Sequence, residues 1–149
     1  MEWSREAGPY VVIDMHAAPG GQTGTNIDDS WGYPWLYYDS SEAQQLLISI
    51  WKRMAARYRD SDTVLGYDLL NEPIPHFPEL KKYNPQLEPL YKRIVASIRE
   101  VDKNHIVILG KAQQYVDFRE THRVPIWMSE SGENTVDHAI SCVARQESH

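Results

Sequence analysis

The amino-acid sequence predicts an α/β fold in which about four parallel strands are covered by helices. Short apolar runs alternate along the 149 residues with longer segments whose apolar side chains recur at every third or fourth position. None of the short runs leads into the next through a hairpin turn. Successive strands are therefore expected to pair in parallel through right-handed helical crossovers.

The first half of the chain contains two of these strands and the helix between them. The first strand is predicted over residues 10–16. Ser41, followed by Gln44 three residues later, has the pattern of a capping box and predicts the start of a helix. Residues 64–70 form an apolar run that is typical of a strand buried on both faces.

The second half repeats this alternation. Asn84 followed by Pro85 predicts a helix that begins with an N-cap and a proline in its first turn. Residues 105–110 predict the third strand, and a shorter helix over 111–123 leads to a fourth strand over 124–128.

A carboxylate follows the end of each of two predicted strands. The second strand runs into Asn71-Glu72-Pro73, and the fourth runs into Glu130. Because proline cannot donate to a sheet ladder, Pro73 places Glu72 at the carboxyl end of its strand and biases it towards an extended backbone. Two carboxylates at the ends of two strands of one sheet are what glycoside hydrolysis requires. Glu72 and Glu130 are therefore candidate catalytic residues.

These motifs carry a family resemblance. Asn71-Glu72-Pro73 and the segment Trp-Met-Ser-Glu-Ser-Gly at 127–132 resemble the acid/base and nucleophile motifs of glycoside hydrolase family 5, the cellulase-like retaining enzymes. The segment Ile-Asp-Met-His-Ala-Ala-Pro-Gly-Gly at 13–21 is similar to the third-strand segment of that family. The resemblance defines a domain over residues 1–134 and a tail over 135–149 that lacks it.

The resemblance implies a partial TIM (β/α)8-type barrel that cleaves β-linked glucan, with β-1,4-glucan as the first expectation. Glu72 is expected to be the general acid/base, kept protonated by the nearby negative charge of Glu130 and by partial burial. Glu130 is expected to attack the anomeric carbon, and Asn71 to hydrogen-bond the sugar 2-hydroxyl. His16 is expected to line the same subsite.

The loop over residues 17–39 offers aromatic rings for contact with sugars. Trp31, Tyr33 and Trp35 are candidate substrate-binding residues, because aromatic faces stack on the apolar faces of sugar rings. The alternative interpretation is that these rings pack the loop onto the rim of the barrel. Two acids of the loop, Asp28 and Asp29, bond substrate hydroxyls in one interpretation and cap turns in the other.

The sequence predicts no metal or organic cofactor. Asp14 and His16 lie two residues apart and therefore share one strand face, a spacing that also occurs among metal ligands. No cluster of other histidines or cysteines accompanies them. A metal-dependent hydrolase is retained only as a further alternative, since proton transfer and carboxylate attack suffice for the predicted reaction.

Composition narrows the range of partners. The net charge of -6, with scattered Lys and Arg residues, disfavours nucleic acid and is compatible with a neutral β-glucan or oligosaccharide. The single cysteine, Cys142, cannot form an intramolecular disulfide. No stretch approaches the roughly 20 apolar residues of a membrane span, so no membrane partner is expected. The N-terminus shows no signal-peptide pattern, and localisation stays open.

The number of predicted strands is small for a barrel. A complete TIM barrel has eight strand-helix units in roughly 250 residues, and by comparison with the family this chain lacks the first two strands, the sixth and the last. We expect two copies to associate as a homodimer in which four strands from each approximate a barrel. The alternatives to a dimer are a monomeric open sandwich with helices on both faces or a fragment that is only partly ordered. The alternative to an active glycosidase is a catalytically impaired remnant that binds oligosaccharide or only folds and assembles.

Overall fold

The computed structural model describes residues 8–25, 28–30, 32–38, 41–73, 82–110 and 126–129. The predicted α/β fold with four parallel strands is confirmed. The strands stand side by side in chain order, and every pairing is parallel. They are β1 Val11–Asp14, β2 Val64–Asp68, β3 Ile106–Gly110 and β4 Ile126–Ser129.

Two α-helices cover the Tyr67 side of the sheet. Helix α1, Ser41–Tyr58, follows β1, and helix α2, Asn84–Arg99, follows β2. A short 3-10 helix, Trp35–Tyr37, precedes α1. The buried side of α2 is the one that its apolar periodicity predicted, and its fully or nearly buried apolar residues are Leu87, Leu90, Tyr91, Ile94, Val95 and Ile98.

Helix α1 begins at Ser41 as predicted, whereas two details of helix capping differ from the prediction. Asn84 is not the N-cap of α2, because the turn before it already has helical backbone and the cap position falls on Tyr83. The side-chain oxygen of Asn84 is buried without a hydrogen-bond partner in the part of the chain that the structure describes. In α1, the amide of Gln44 does not reach back to the helix start. It donates to the Leu36 carbonyl (2.9 Å) and accepts from Arg93 (2.7 Å).

The core lies between the sheet and the two helices. Trp51 of α1 packs on Tyr67 of β2 with 5.9 Å between ring centroids, and both side chains are fully buried. The Trp51 indole N–H also donates to the Leu69 carbonyl (3.2 Å) just beyond β2. Burial of rings of this size is a main source of stability in a small domain, and it places the β2 terminus relative to α1.

A buried polar network anchors the amino end of β3. The Asp102 carboxylate accepts from the Tyr67 hydroxyl (2.7 Å), from the His105 ring (2.7 Å) and from the backbone N–H groups of Asn104 and His105. Burial alone raises the pKa of Asp102, but these hydrogen bonds outweigh it and hold the pKa below its ordinary value. The network lies at the edge of the sheet opposite to the one where Glu72 follows β2.

Several sequence predictions fall outside the described residues. They are the helix over 111–123 and the tail over 135–149. Among the residues that the structure does describe, no helix is long and apolar enough to cross a membrane.

Candidate active site

The turn that carries Glu72 follows β2 at the carboxyl edge of the sheet. Glu72 is exposed and has a backbone φ of 43°, in the left-handed region. The extended backbone and the partial burial predicted for it are therefore both wrong. A left-handed conformation costs a non-glycine residue roughly 1–2 kcal/mol, and such strained residues cluster at functional sites.

Contacts on both sides of Glu72 explain this conformation. The Asn71 N–H donates to the Met15 carbonyl (3.1 Å), which extends the pairing of β1 and β2. The buried Tyr37 hydroxyl donates to the Pro73 carbonyl, and Pro73 itself is buried. With the chain held before and after it, the change of direction has to occur at Glu72.

Gly110, the last residue of β3, allows this turn to pass close by. A Cβ atom at Gly110 would lie 2.5 Å from the Leu70 carbonyl oxygen and 3.0 Å from the Pro73 ring. Both distances are shorter than ordinary van der Waals contact, which begins at 3.4 Å. Any larger residue at this position would displace the segment that leads into Glu72.

The strand register relates the ends of β2 and β4. Gly110 of β3 pairs with Ser129, the last residue of β4, and Leu70 also approaches Gly110. The end of β4 is thus level with the residues that precede Asn71. Two of the predicted site residues, Glu130 and Trp31, lie outside the described residues. Since β3 separates β2 from β4, the two carboxylate strands are two steps apart, as expected from four adjacent strands.

His16 lies beyond β1 at the same edge. Its Nδ1 is 3.0 Å from an Asp14 carboxylate oxygen, so the predicted shared face is confirmed. The His16 side chain is 73% exposed. If the Asp14 carboxylate accepts from Nδ1–H, the other ring nitrogen is left to face a ligand at the edge of the sheet.

Asp68, at the end of β2, is a second acid at this edge that the sequence analysis did not single out. It stands opposite Asp14 in the β1–β2 register. Burial, and then the negative charge of Asp14, raise the pKa of Asp68 to about 7, although a backbone hydrogen bond from Leu70 opposes the shift. One of its carboxyl oxygens is buried with no partner in the described structure.

No metal site is evident in the described ranges. Nowhere in them do three or more His, Cys, Asp or Glu side chains converge in a way that could hold an ion.

Three rings of the loop after β1 form an exposed aromatic cluster, which we call the aromatic platform: Tyr33, Trp35 and Tyr38. Their centroids lie 4.8 to 6.1 Å apart, and each residue is 37 to 55% exposed. The rings pack on one another and still present faces to solvent. An open groove of about 320 Å³ adjoins Tyr38, lined also by Tyr37, Lys82, Tyr83 and Gln86.

The platform is tied to the Glu72 turn through the 3-10 helix. At one side the Leu36 N–H donates to the Gly21 carbonyl (3.2 Å). At the other side Tyr37 holds Pro73, the residue after Glu72. Tyr33 and Trp35, which were predicted to bind substrate, thus belong to the same rim of the sheet as Glu72.

The acids of this loop cap turns. Asp28 accepts from the backbone N–H groups of Gln22, Thr23 and Ser30 at 2.7 to 2.9 Å. Asp29 accepts from the Gly20 N–H (3.0 Å). These contacts favour the turn-capping interpretation over direct contact with substrate hydroxyls.

The roles of four residues at this edge were not predicted from the sequence. Asp68 carried a usable signal, since it is an acid inside an otherwise apolar run. Little sequence signal marked Gln22, Tyr37 and Gly110, because their roles depend on contacts with residues far away in the chain.

Comparison with known proteins gives consistent results. A family model described as cellulase (glycosyl hydrolase family 5) matches residues 1–142. A β-xylosidase of Phanerodontia chrysosporium is 33% identical over 102 residues, which cover 68% of this chain and 20% of that protein. A probable glucan 1,3-β-glucosidase A of Aspergillus fumigatus is 32% identical over 112 residues, which cover 74% of this chain and 26% of that protein.

A solved structure supports the fold. Endo-glycoceramidase II from Rhodococcus sp., in a complex with a cellobiose-like isofagomine, aligns over 97% of this chain and 46% of its own, with a TM-score of 0.62 and 17% identity. The described four-stranded sheet with its helices therefore corresponds to part of a TIM-type barrel. The chain spans about a fifth to a quarter of the two curated relatives.

Proposed function

Since the chain belongs to glycosyl hydrolase family 5, the cellulase family, we propose that it hydrolyses β-linked glucan by a retaining mechanism with Glu72 and Glu130. The observation that carries this proposal is the backbone of Glu72. An exposed carboxylate is held at the carboxyl edge of a parallel sheet in a strained conformation that packed neighbours enforce.

In the proposed reaction, Glu130 attacks the anomeric carbon while the carboxylic acid of Glu72 protonates the departing glycosidic oxygen. A covalent glycosyl ester on Glu130 results. Glu72, now a carboxylate, then removes a proton from water, which attacks the same carbon and releases the sugar with its original anomeric configuration. Asn71, beside Glu72, is suited to bind the 2-hydroxyl, and the exposed ring of His16 to bind a neighbouring hydroxyl.

The strand order sets the distance that the two carboxyl groups have to bridge. Neighbouring strands lie about 4.8 Å apart, so positions two strands apart are separated by about 10 Å. A retaining pair needs carboxyl groups about 5 to 5.5 Å apart, and an inverting pair about 6.5 to 9.5 Å. The proposed retaining mechanism therefore requires the carboxyl groups of Glu72 and Glu130 to approach each other across β3.

The aromatic platform is the proposed contact for further sugar units. Ring faces of Trp35 and Tyr33 suit the apolar faces of glucosyl or xylosyl residues. Among the similar proteins, the names span a β-xylosidase, a probable glucan 1,3-β-glucosidase and an endo-glycoceramidase in a complex with a cellobiose-like isofagomine. We place β-1,4-glucan first and keep β-1,3-glucan and xylan as the alternatives to be tested.

The exposed platform also favours a second candidate function, binding of oligosaccharide without cleavage. The rings of the platform are held by contacts with one another and with the Gly21 segment, so they do not depend on either glutamate. A chain with an impaired two-carboxylate site would retain this surface.

Reducing-sugar release from soluble β-1,4-glucan, β-1,3-glucan, xylan and β-mannan tests the proposal. Activity on one polymer should be abolished by Glu72→Gln and by Glu130→Gln. The matched control is Glu88→Gln, which changes a glutamate that pairs with Lys92 on α2. Dinitrophenyl cellobioside separates the two roles, because its leaving group needs no proton. The Glu72 variant should still release dinitrophenol in a burst, and the Glu130 variant should not.

Other results would decide against the proposal. Equal activity of the chain and both glutamine variants would exclude the two-glutamate mechanism, and an inverted anomer detected by NMR would exclude retention. Binding of cello-oligosaccharides without any hydrolysis would favour the second function. Association of two copies stays a prediction, and the solution mass of the same sample tests it.

A further inference from the structure

We propose that Gln22 is a positioning residue for the reaction, which holds the Asn71–Glu72 peptide and the His16 segment in their working arrangement. This inference rests on the proposed function of Glu72. Gln22 is fully buried, and it lies in the loop after β1 at the carboxyl edge of the sheet. A buried amide with every polar group in use is a device for specifying one conformation.

The Gln22 side chain makes three hydrogen bonds. Its carbonyl oxygen accepts from the Ala18 N–H (3.0 Å). Its amide nitrogen donates one hydrogen to the His16 carbonyl (2.9 Å) and the other to the Asn71 carbonyl (2.9 Å). One side chain thus joins the ends of β1 and β2 at the two segments that carry the proposed substrate contacts.

The bond to Asn71 bears directly on Glu72. A peptide unit is planar, so the direction of the Asn71 carbonyl also sets the direction of the Glu72 N–H and, with it, the φ angle of Glu72. That angle is 43°, which an unrestrained glutamate rarely adopts. The carbonyl of this peptide is held by Gln22, and the preceding peptide is held through the Asn71 N–H, which donates to Met15. Rotation that would relieve the strain at Glu72 therefore has to break the bond to Gln22.

Gln22 is itself held rigidly. Its backbone N–H donates to Asp28 (2.7 Å), whose carboxylate also organises the turn around it. The preceding residue, Gly21, has a φ of 69°, and a Cβ atom there would lie 2.0 Å from the Ser30 hydroxyl oxygen. The loop is closed tightly enough to fix the amide before substrate arrives, as preorganisation requires.

Two substitutions separate positioning from general stability. Gln22→Glu keeps the size and the acceptor for Ala18 but replaces both donors with an acceptor that faces two carbonyl oxygens. Gln22→Met keeps the approximate size and removes all three bonds. The control is Tyr67→Phe, which removes a buried hydrogen bond of 2.7 Å at the opposite edge of the sheet.

We expect both Gln22 variants to lower kcat by about 10- to 100-fold with a change in KM of less than about threefold. The control should lower the unfolding midpoint and leave kcat unchanged. The activity of the Gln22→Glu variant, relative to the wild type at the same pH, should rise as the pH falls, because a protonated carboxyl group can donate one hydrogen bond. Gln22→Met should show no such recovery.

Amide hydrogen exchange on the full chain gives a readout that does not need activity. Exchange at Asn71 should be at least about tenfold faster in Gln22→Glu than in Tyr67→Phe at equal global stability. If the unaltered chain shows no hydrolysis, the proposed function fails and exchange alone decides the role of Gln22. Unchanged exchange and kcat in both Gln22 variants would overturn the inference. So would failure of both to fold while the control folds, since the role would then be structural.

Discussion

Replacing Gly110 by alanine tests how closely the Glu72 turn depends on the end of β3. The added Cβ would meet the Leu70 carbonyl oxygen at 2.5 Å and the Pro73 ring at 3.0 Å. Real contacts of a Cβ atom stay above 3.0 Å, so Leu70 and Gly110 must move apart by at least half an ångström. Neither segment can move freely, because the Gly110 carbonyl accepts from the Tyr91 hydroxyl and the carbonyl of Leu69, next to Leu70, accepts from the Trp51 indole.

Overpacking of this kind costs about 1–3 kcal/mol of unfolding free energy. The displaced segment leads directly into Glu72, and misplacement of a catalytic group by about 1 Å costs on the order of 100-fold in rate. We therefore expect Gly110→Ala to lose about 10- to 100-fold in kcat/KM in addition to its loss of stability.

Gly66→Ala is the matched control, because a Cβ there would also lie 2.5 Å from a backbone carbonyl oxygen, that of Ile106. This second clash lies within β2, away from the Glu72 turn. Urea unfolding should show similar losses for both variants, whereas only Gly110→Ala should lose activity beyond its loss of folded protein. Wild-type stability and kcat/KM in Gly110→Ala would refute the close approach on which the reasoning depends.

Three further predictions concern charge and ligand contact. The pKa of Asp68 is raised to about 7 in the fold from 3.8, so wild-type stability should fall as the pH rises from about 4 to 7. In urea unfolding, Asp68→Asn should remove this pH dependence and be more stable than the wild type by up to about 4 kcal/mol above pH 7. Parallel curves of unfolding free energy against pH for the two proteins would contradict this. The pKa of Asp102 is lowered, so its contribution is present above about pH 4 and is lost as the pH falls further. Asp102→Asn should lower the unfolding free energy by about 2–3 kcal/mol at pH 7, and the difference from the wild type should narrow in acid. A difference that does not change with pH would count against the network. Trp35→Ala should weaken cello-oligosaccharide binding about tenfold in calorimetry with little change in melting temperature, and unchanged affinity would exclude the platform as a sugar contact.

The fold was largely predictable because its signals are local. Apolar runs of strand length and the three- and four-residue periodicity of α1 and α2 each depend on neighbours in the sequence. The parallel pairing of the strands followed from the absence of hairpins, and the core residues of α2 followed from its periodicity. The N-cap role predicted for Asn84 was wrong, since the preceding turn had already adopted helical backbone and the cap position falls on Tyr83.

The candidate site was predictable in residue type and edge but not in geometry. A carboxylate after an apolar strand places Glu72 at the carboxyl end of β2, and the structure agrees. The backbone conformation of Glu72 was predicted wrongly because the local preference imposed by Pro73 is overridden by contacts from distant segments. The amide of Gln22 and the hydroxyl of Tyr37 supply two of these contacts, and no local pattern identifies them.

The separation in sequence of those contacts has a consequence for the order of folding. Gln22 reaches Asn71 across 49 positions, and Tyr37 reaches Pro73 across 36. The contacts that stabilise the left-handed backbone of Glu72 come from other segments of the chain. The turn should therefore adopt this conformation only after β1, β2 and the 3-10 helix have come together. The Glu72 turn would then be among the last parts of the chain to order and among the first to open. Brief native-state fluctuations would dismantle the site while the sheet and its helices stay intact.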